Sequence, residues 1–475
     1  MGSGIWCLKR FRSKCKDGPQ GAFLLRCAGR ILAMTQQSTD PLSFPVLRTR
    51  WAFCLAAVAI CFLAWLRVPS ALEWKFQVAA VEPADGKATG EARAVKRFLP
   101  NADKSSVHAS SIVSLPDRSL LAFWFGGSKE GNRDVTIRCS RFDPESGTWS
   151  PDRTVITTAL TQQGENRYIK MLGNPVAFLD GNQKLWVFYV SVSIGGWSGS
   201  STNFVTSTDF GITWSVPRKI VSAPFFNLCT QLKSPPFLYA DGTIGLPVHQ
   251  EMGLKFCSIL RLDDDGKVLA KQRLTHGWST LQPLPFLIDD SSALVLMRYA
   301  SDSPPFMASM TVTNNGGRNW SPAEASPIPN PNSAMAGLTL KDGRQLLVCN
   351  DQTSGRSRLS LLMSRDNGES WTLVSHVEYE PAFDAGPMDA GEYQEWLRRL
   401  LRESLAEHRT EPENLVERAM ESSRNQSSHM PRFEYPSLTQ SAEEFHLLYT
   451  WNRVMIRHFQ FNQAWLDQQI QNSKP

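Results

Sequence analysis

Six times along the chain an apolar residue is followed by a short polar turn and then by a run of apolar, β-prone residues. The copies are LPDRSLLAFWFGG, FLDGNQKLWVFYV, LYADGTIGLPVH, LIDDSSALVLMR, LKDGRQLLVCN and LTQSAEEFHLLYTWN, with leading leucines at Leu115, Leu179, Leu238, Leu287, Leu340 and Leu438. Short strands with turn signals, repeating roughly every 50–65 residues apart from the last interval, predict four-stranded blades around a central axis. Six copies predict an all-β, six-bladed β-propeller over residues 105–466. The long last interval contains DAGEYQEWLRRLLRESLAEHRTEPENLVERAMESSRN, without Gly-rich turns or alternation. Tyr393, Leu397, Leu400, Leu401 and Leu405 follow helical spacing there, and TEPE at Thr410 to Glu413 is a capping-box pattern with Pro412 in the first turn of a second helix. This predicts a helical insertion over 389–428 in the last blade, outside the propeller core, acting as a rim lid, a partner dock or a substrate gate.

A second repeat joins a turn acid, a glycine and a tryptophan: Ser207, Asp209, Gly211 and Trp214, then Ser364, Asp366, Gly368 and Trp371. A weaker copy is Thr313, Asn315, Gly317 and Trp320, and a stretched one runs from Ser140 to Trp149. The acid accepts turn N–H groups, the glycine takes positive φ and the tryptophan returns to the core. Such turns predict folding devices rather than chemistry.

Composition changes the picture mainly at the N-terminus. The net charge of +5 is small for 475 residues, and the excess lies in Lys9, Arg10, Arg12, Lys14, Lys16, Arg26, Arg30, Arg48 and Arg50. The remainder is close to neutral, which argues against a nucleic-acid partner. The run WAFCLAAVAICFLAWL, from Trp51 to Leu66, is flanked by Arg50 and Arg67. It is slightly short of the roughly 17–25 residues of a membrane helix, a difference that snorkelling arginines can cover. No small-x-small cleavage pattern follows it. The reading is a basic cytoplasmic segment at 1–50, a signal anchor at 51–67, a linker at 68–104 and a short tail at 467–475. The positive-inside rule then makes this a single-pass membrane protein with the propeller periplasmic or extracellular. Met34 could also be the start, because MTQQSTDPLSFPVLRTRWAF contains a sufficient anchor. Of nine cysteines, Cys139, Cys229, Cys257 and Cys349 follow the anchor, mostly in strand-like runs. Buried free thiols are expected, and neither a metal site nor a cofactor is indicated.

Together the acid-glycine-tryptophan turns, LPDRSLLAF, SRLSLLMSRDNGESW, EYPSLTQ and the closing FNQAWL resemble the sialidases, particularly bacterial sialidase-like proteins with Asp-box repeats. The likeness covers about residues 105–466. It implies that the acid turns lie on the outer edge of the propeller, so function must be sought at the axis. The residues at the inner strand starts are His108, Asn174, Lys233, Gln282, Asn332 and Tyr435, within a residue or two. All are polar, which favours a ligand pocket over a sealed core.

The resemblance implies a tyrosine nucleophile, an activating Glu, an Asp acid/base and three arginines on a substrate carboxylate. Tyr435 in FEYPSLTQ falls on the nucleophile, Arg298 on the second arginine and Arg358 on the third, with Arg356 as competitor. His108 replaces the first arginine and Gln282 the activating Glu. Glu130 and Asp134 in FGGSKEGNRDVTIRCS compete as the acid, Glu251 is a substitute activating carboxylate, and Arg453 is a further carboxylate ligand. Lys233 and Asn174 are counted with the substrate-binding set. The expected function is an exo-glycosidase releasing a terminal acidic sugar, either sialic acid or a related nonulosonic or uronic acid, from a glycan or polysaccharide. The alternatives are a binding propeller without turnover, a lyase on uronate-containing polysaccharide with Tyr435 and His108 as acid/base partners, and a structural propeller whose insertion docks a partner.

Overall fold

The computed structural model describes residues 52–59, 72–78, 90–101, 106–223, 227, 229–277, 279–405, 412–424 and 429–472. The chain divides into two units, Met1–Leu72 and Glu73–Pro475. In the first, a helix covers residues 52–59. Among the described residues no helix is long and apolar enough to cross a membrane. The basic segment and the second half of the apolar run lie outside the described residues.

The second unit is the six-bladed propeller, with six antiparallel sheets arranged in sequence order. The inner strands of the first, second, fourth and fifth blades are Ser106–Ser114, Met171–Leu179, Thr280–Leu287 and Ala336–Thr339. In the third, Phe237–Leu238 is preceded by a bridge from Gln231 to His249. The sixth opens with Phe433–Ser441. Second strands such as Leu120–Gly127 and Leu185–Val192 are buried at every position because both faces meet another blade. Fourth strands such as Val268–Arg273 carry the exposed positions. Side chains interdigitate between neighbours: Phe123 and Ile137 meet Val187 and Tyr189 between blades one and two, and Trp124 meets Leu448 and Ile456 where blade one closes on blade six.

The acid-glycine-tryptophan turns join third to fourth strands. Gly211 N donates to Ser207 Oγ at 2.8 Å and Thr213 N to Asp209 Oδ1 at 2.9 Å, with Gly211 at φ 89°. Gly368 and Ser370 repeat this on Ser364 and Asp366 at 2.8 and 2.9 Å. In the Asn315 copy Gly317 and Asn319 make the same pair of bonds at 3.2 and 2.9 Å. Bonds this local fix the hairpins. Cys139, Cys229, Cys257 and Cys349 are buried free thiols.

Three boundaries differ from the sequence reading. Ala94–Phe98, assigned to a linker, is the outer strand of the sixth blade, paired with Met455–Asn462. Residues 73–78, also assigned to the linker, pack on blades three and four: Phe76 N donates to Asp290 O at 2.7 Å and Gln77 N to Leu238 O at 2.9 Å. The expected tail begins inside helix Gln463–Asn472, whose Leu466 is buried. The insertion does form two helices, Ala390–Leu405 and Pro412–Arg424. They lie between the outer strand of blade five, Thr372–Glu378, and the inner strand of blade six. They also join the core, because Tyr393, Leu397, Leu401, Leu415 and Val416 pack with Val374, Phe433, Tyr449 and Trp451.

Candidate active site

In four blades the inner strand bulges at its start, so that two residues face one on the neighbouring strand. The bulged pairs are Ala109 with Ser110, Asn174 with Pro175, Gln282 with Pro283 and Tyr435 with Pro436. The first member of each has positive φ: 54°, 43°, 51° and 51°. Asn332, preceding the fifth inner strand, has φ 54°. Proline removes a ladder donor at the bulge, and the turned backbone re-aims the residue before it. A non-glycine residue held there costs about 1–3 kcal/mol, a cost met repeatedly at one end of the axis.

These bulges gather most of the expected residues. Gln282 Nε2 donates to the Tyr435 hydroxyl at 3.1 Å, and Arg298 Nη1 donates to Gln282 Oε1 at 3.2 Å. Arg298 Nε donates to Asn332 Oδ1 at 2.7 Å. The arginine fixes the amide so that Gln282 donates to the phenol. It cannot take the phenol proton, but it can stabilise a phenolate.

The His108 ring lies 4.4 Å from that of Tyr435. Burial and then the Arg453 charge hold its pKa well below the usual histidine range, although Glu434 opposes them. The imidazole is therefore neutral, and its Nδ1 has no hydrogen-bond partner among the described residues. On the other side Lys233 Nζ donates to Pro436 O at 2.7 Å and lies 5.8 Å from the Tyr435 ring centre. Burial lowers its pKa to about 7.

The centre of the cluster is Glu434, with a side chain 0% exposed. Arg453 Nε donates to it at 2.9 Å, and Arg356 and Arg432 donate to its other oxygen. Burial would raise its pKa, but the guanidiniums of Arg356, Arg453 and Arg432 together hold it well below the carboxylate range. Arg356 also donates to Asn332 O at 2.7 Å. Arg453 reaches onward, with Nη1 2.5 Å from Glu130 Oε2. Thus three guanidiniums, of Arg356, Arg432 and Arg453, meet the two carboxylates of Glu434 and Glu130, which leaves one positive charge in excess, while Arg298 stands beside them on Asn332 and Gln282.

The remaining expected residues are placed elsewhere. Arg358 is turned to Asp351, with Nε on Oδ1 at 2.9 Å and Nη2 on the carbonyl at 2.7 Å, and Arg356 joins the cluster instead. Asp134 accepts from Ser128 N at 2.7 Å and Ser128 Oγ at 2.9 Å, a local loop role on an exposed residue. Glu251 accepts from Gln231 Nε2, and its charge acts on Arg298. Asn174 is buried at its bulge in blade two. Glu434 and Arg432 were missed. The signal available for them was an Arg-x-Glu spacing that puts both on one face of the strand leading into Tyr435.

Fold and axial cluster define a sialidase-like propeller. The chain belongs to the BNR repeat-like domain family, whose profile matches residues 118–447. No curated protein matches the sequence. Among solved structures it is similar to the Hadza microbial sialidase Hz136, with TM-score 0.55 and 16% identity over 76% of this chain and 66% of that one. A protein of unknown function from Dyadobacter fermentans gives TM-score 0.55 and 12% identity over 78% of this chain and 99% of that one. Trypanosoma rangeli sialidase gives TM-score 0.51 and 13% identity over 80% and 61%. The chain therefore spans just under two thirds of the two sialidases, and at these identities the likeness shows the fold.

Proposed function

We propose that the protein is a glycoside hydrolase that releases a terminal acidic sugar, sialic acid or a related nonulosonic or uronic acid, from a glycan. The observation that carries this reading is the Tyr435 hydroxyl, held by Gln282 under Arg298 at the edge of a buried arginine cluster with positive charge to spare. An anionic sugar would be drawn to that charge, with Arg298 and Arg356 as planar donors to its carboxylate. Tyr435 is the nucleophile, since a neutral phenol is not repelled by the sugar carboxylate. The Gln282 amide and the Arg298 charge stabilise its phenolate as the proton leaves to solvent, and Glu130, once protonated, is the acid on the departing oxygen. As part of the same proposal, residues 51–67 anchor the chain in a membrane with the propeller outside the cytoplasm.

Gln282 favours a second reading, in which the propeller binds an acidic glycan without turnover. The deciding experiment screens the purified chain and Tyr435→Phe against fluorogenic acidic glycosides while measuring binding. Tyr435→Phe keeps the ring, so affinity should persist while turnover falls roughly a hundredfold or more. Binding without release by the unaltered protein supports the second reading, and an unsaturated product indicates elimination. Normal turnover by Tyr435→Phe would rule out the tyrosine mechanism.

A further inference from the structure

At the level of the bulges the inner strands alternate around the axis. Blades two, four and six place Pro175, Pro283 and Pro436 there, and blades one, three and five place Ser110, Ser234 and Ser333. The serines are 1%, 2% and 1% exposed, and none of their hydroxyls has a hydrogen-bond partner among the described residues. The hydroxyls one residue further on are used. Ser111 Oγ accepts from Ala177 N at 2.9 Å and Ser437 Oγ from Ile112 N at 3.2 Å, which caps the inner edges of blades two and one. A buried hydroxyl left unsatisfied costs about 1–3 kcal/mol, so a ring of three calls for a partner.

Lys233 brings a charge to the same level. It starts from blade three, and its Nζ donates at 2.7 Å to Pro436 O in the blade directly opposite, so the side chain crosses the axis. Pro436 stands between blades five and one, whose residues at this level are Ser333 and Ser110. The ammonium therefore arrives between two unpartnered hydroxyls with two further N–H donors of its own. No carboxylate acts on it, and burial is what depresses its pKa. Glu434, two residues before Pro436, is taken by three guanidiniums. A charge buried without a counter-charge is costly, and Lys233 is 6% exposed.

We infer that Lys233, Ser110 and Ser333 bind a single halide-sized anion on the propeller axis, beneath Tyr435. Every polar group offered here is a donor. A cation would be repelled by the ammonium, and a water molecule would meet the hydroxyls but leave the charge unbalanced. A sugar acid does not fit either, since all three side chains are more than nine-tenths buried and none lines the large cavity beside Glu130. An anion supplies the missing counter-charge and an acceptor for both hydroxyls at once.

Thermal melts of the full chain test this at about pH 6, below the depressed Lys233 value of about 7. Sodium chloride, bromide and gluconate are compared at matched ionic strength. Either halide should raise the melting temperature by roughly 1–3 °C per tenfold increase above its dissociation constant, and gluconate should not. The shift should vanish in Lys233→Met and shrink in Ser110→Ala and Ser333→Ala. An equal halide shift in Lys233→Met and the unaltered chain would mark a general salt effect and overturn the site, as would equal melts in chloride and gluconate. Should Lys233→Met fail to fold, the serine variants carry the comparison, and an unchanged shift in both overturns the site. Crystals grown in bromide should show an anomalous peak between Lys233 Nζ and the two hydroxyls; a halide shift without that peak means that the ion binds elsewhere and overturns the assignment. Turnover enters none of these readouts, so the site stands or falls apart from the hydrolase reading.

Discussion

Glu434 sets the terms for every other group at the axis. One carboxylate without solvent exposure gathers Arg356, Arg432 and Arg453, and removing a partner from such a buried set typically costs about 3–5 kcal/mol. Because its pKa is held below the carboxylate range, its contribution is complete above the unfolded carboxylate pKa and is lost only as pH falls through the lower folded value. Lys233 behaves oppositely. Burial lowers its pKa from 10.5 to about 7, so between those values the unfolded chain binds more protons and the fold gains stability as pH rises. Lys233→Met removes that titration. In denaturant unfolding, the stability of Lys233→Met minus that of the unaltered protein should therefore decrease from pH 7 to about pH 10; a pH-independent difference would show that Lys233 is an ordinary cation. The axial residues were legible in the sequence because polar residues recur at strand starts that should be apolar. The choice of Arg356 over Arg358 was not, since they lie two residues apart in the loop before Leu359–Ser364, where no strand period orients them, and only contacts such as that of Arg358 with Asp351 tell them apart.

At the scale of elements, the insertion shows what periodicity can and cannot say. Helical spacing of apolar residues predicted the first helix and a capping-box pattern with Pro412 the second, and both formed. An apolar stripe shows that a helix is covered but not by what, so its expected place outside the core was wrong. Tyr393, Leu397, Leu401 and Val416 are each 0% exposed because they roof the strands of blades five and six. Replacing residues 389–428 with a Gly/Ser linker should thus destabilise the propeller, since each large apolar group taken from such a core is worth on the order of 2–5 kcal/mol. A markedly lower melting temperature and dye binding to newly exposed strands are expected. An unchanged melting temperature would mean that blades five and six close without the helices.

For the whole molecule, closure depends on chain that carries little signal of strand. Ala94–Phe98 reads AVKRF, and only Phe98 is buried. Its work is done by backbone pairing, from Ala94 opposite Phe461 to Phe98 opposite Arg457, which covers the edge of Met455–Asn462. Composition cannot reveal such a strand, whereas the six buried second strands announced themselves. The segment at 73–78 is held by burial instead: Phe76 is 2% exposed between Phe237 and Tyr239, and Arg261 Nη2 donates to Glu73 O at 2.6 Å. The two pieces predict an order of stability for shortened chains. A chain from residue 73 keeps both, one from residue 90 loses the Phe76 contact, and one from residue 100 also loses the closing strand. The first step should lower stability by several kcal/mol, since removing a buried Phe side chain costs about 3–5. The second uncovers a strand edge, which favours association through unpaired backbone groups. Thermal melts should fall in that order, with aggregation marking the shortest chain on size-exclusion chromatography. If the chain from residue 100 melted as a monomer at the temperature of the chain from residue 73, the strand would not be the closure of the propeller.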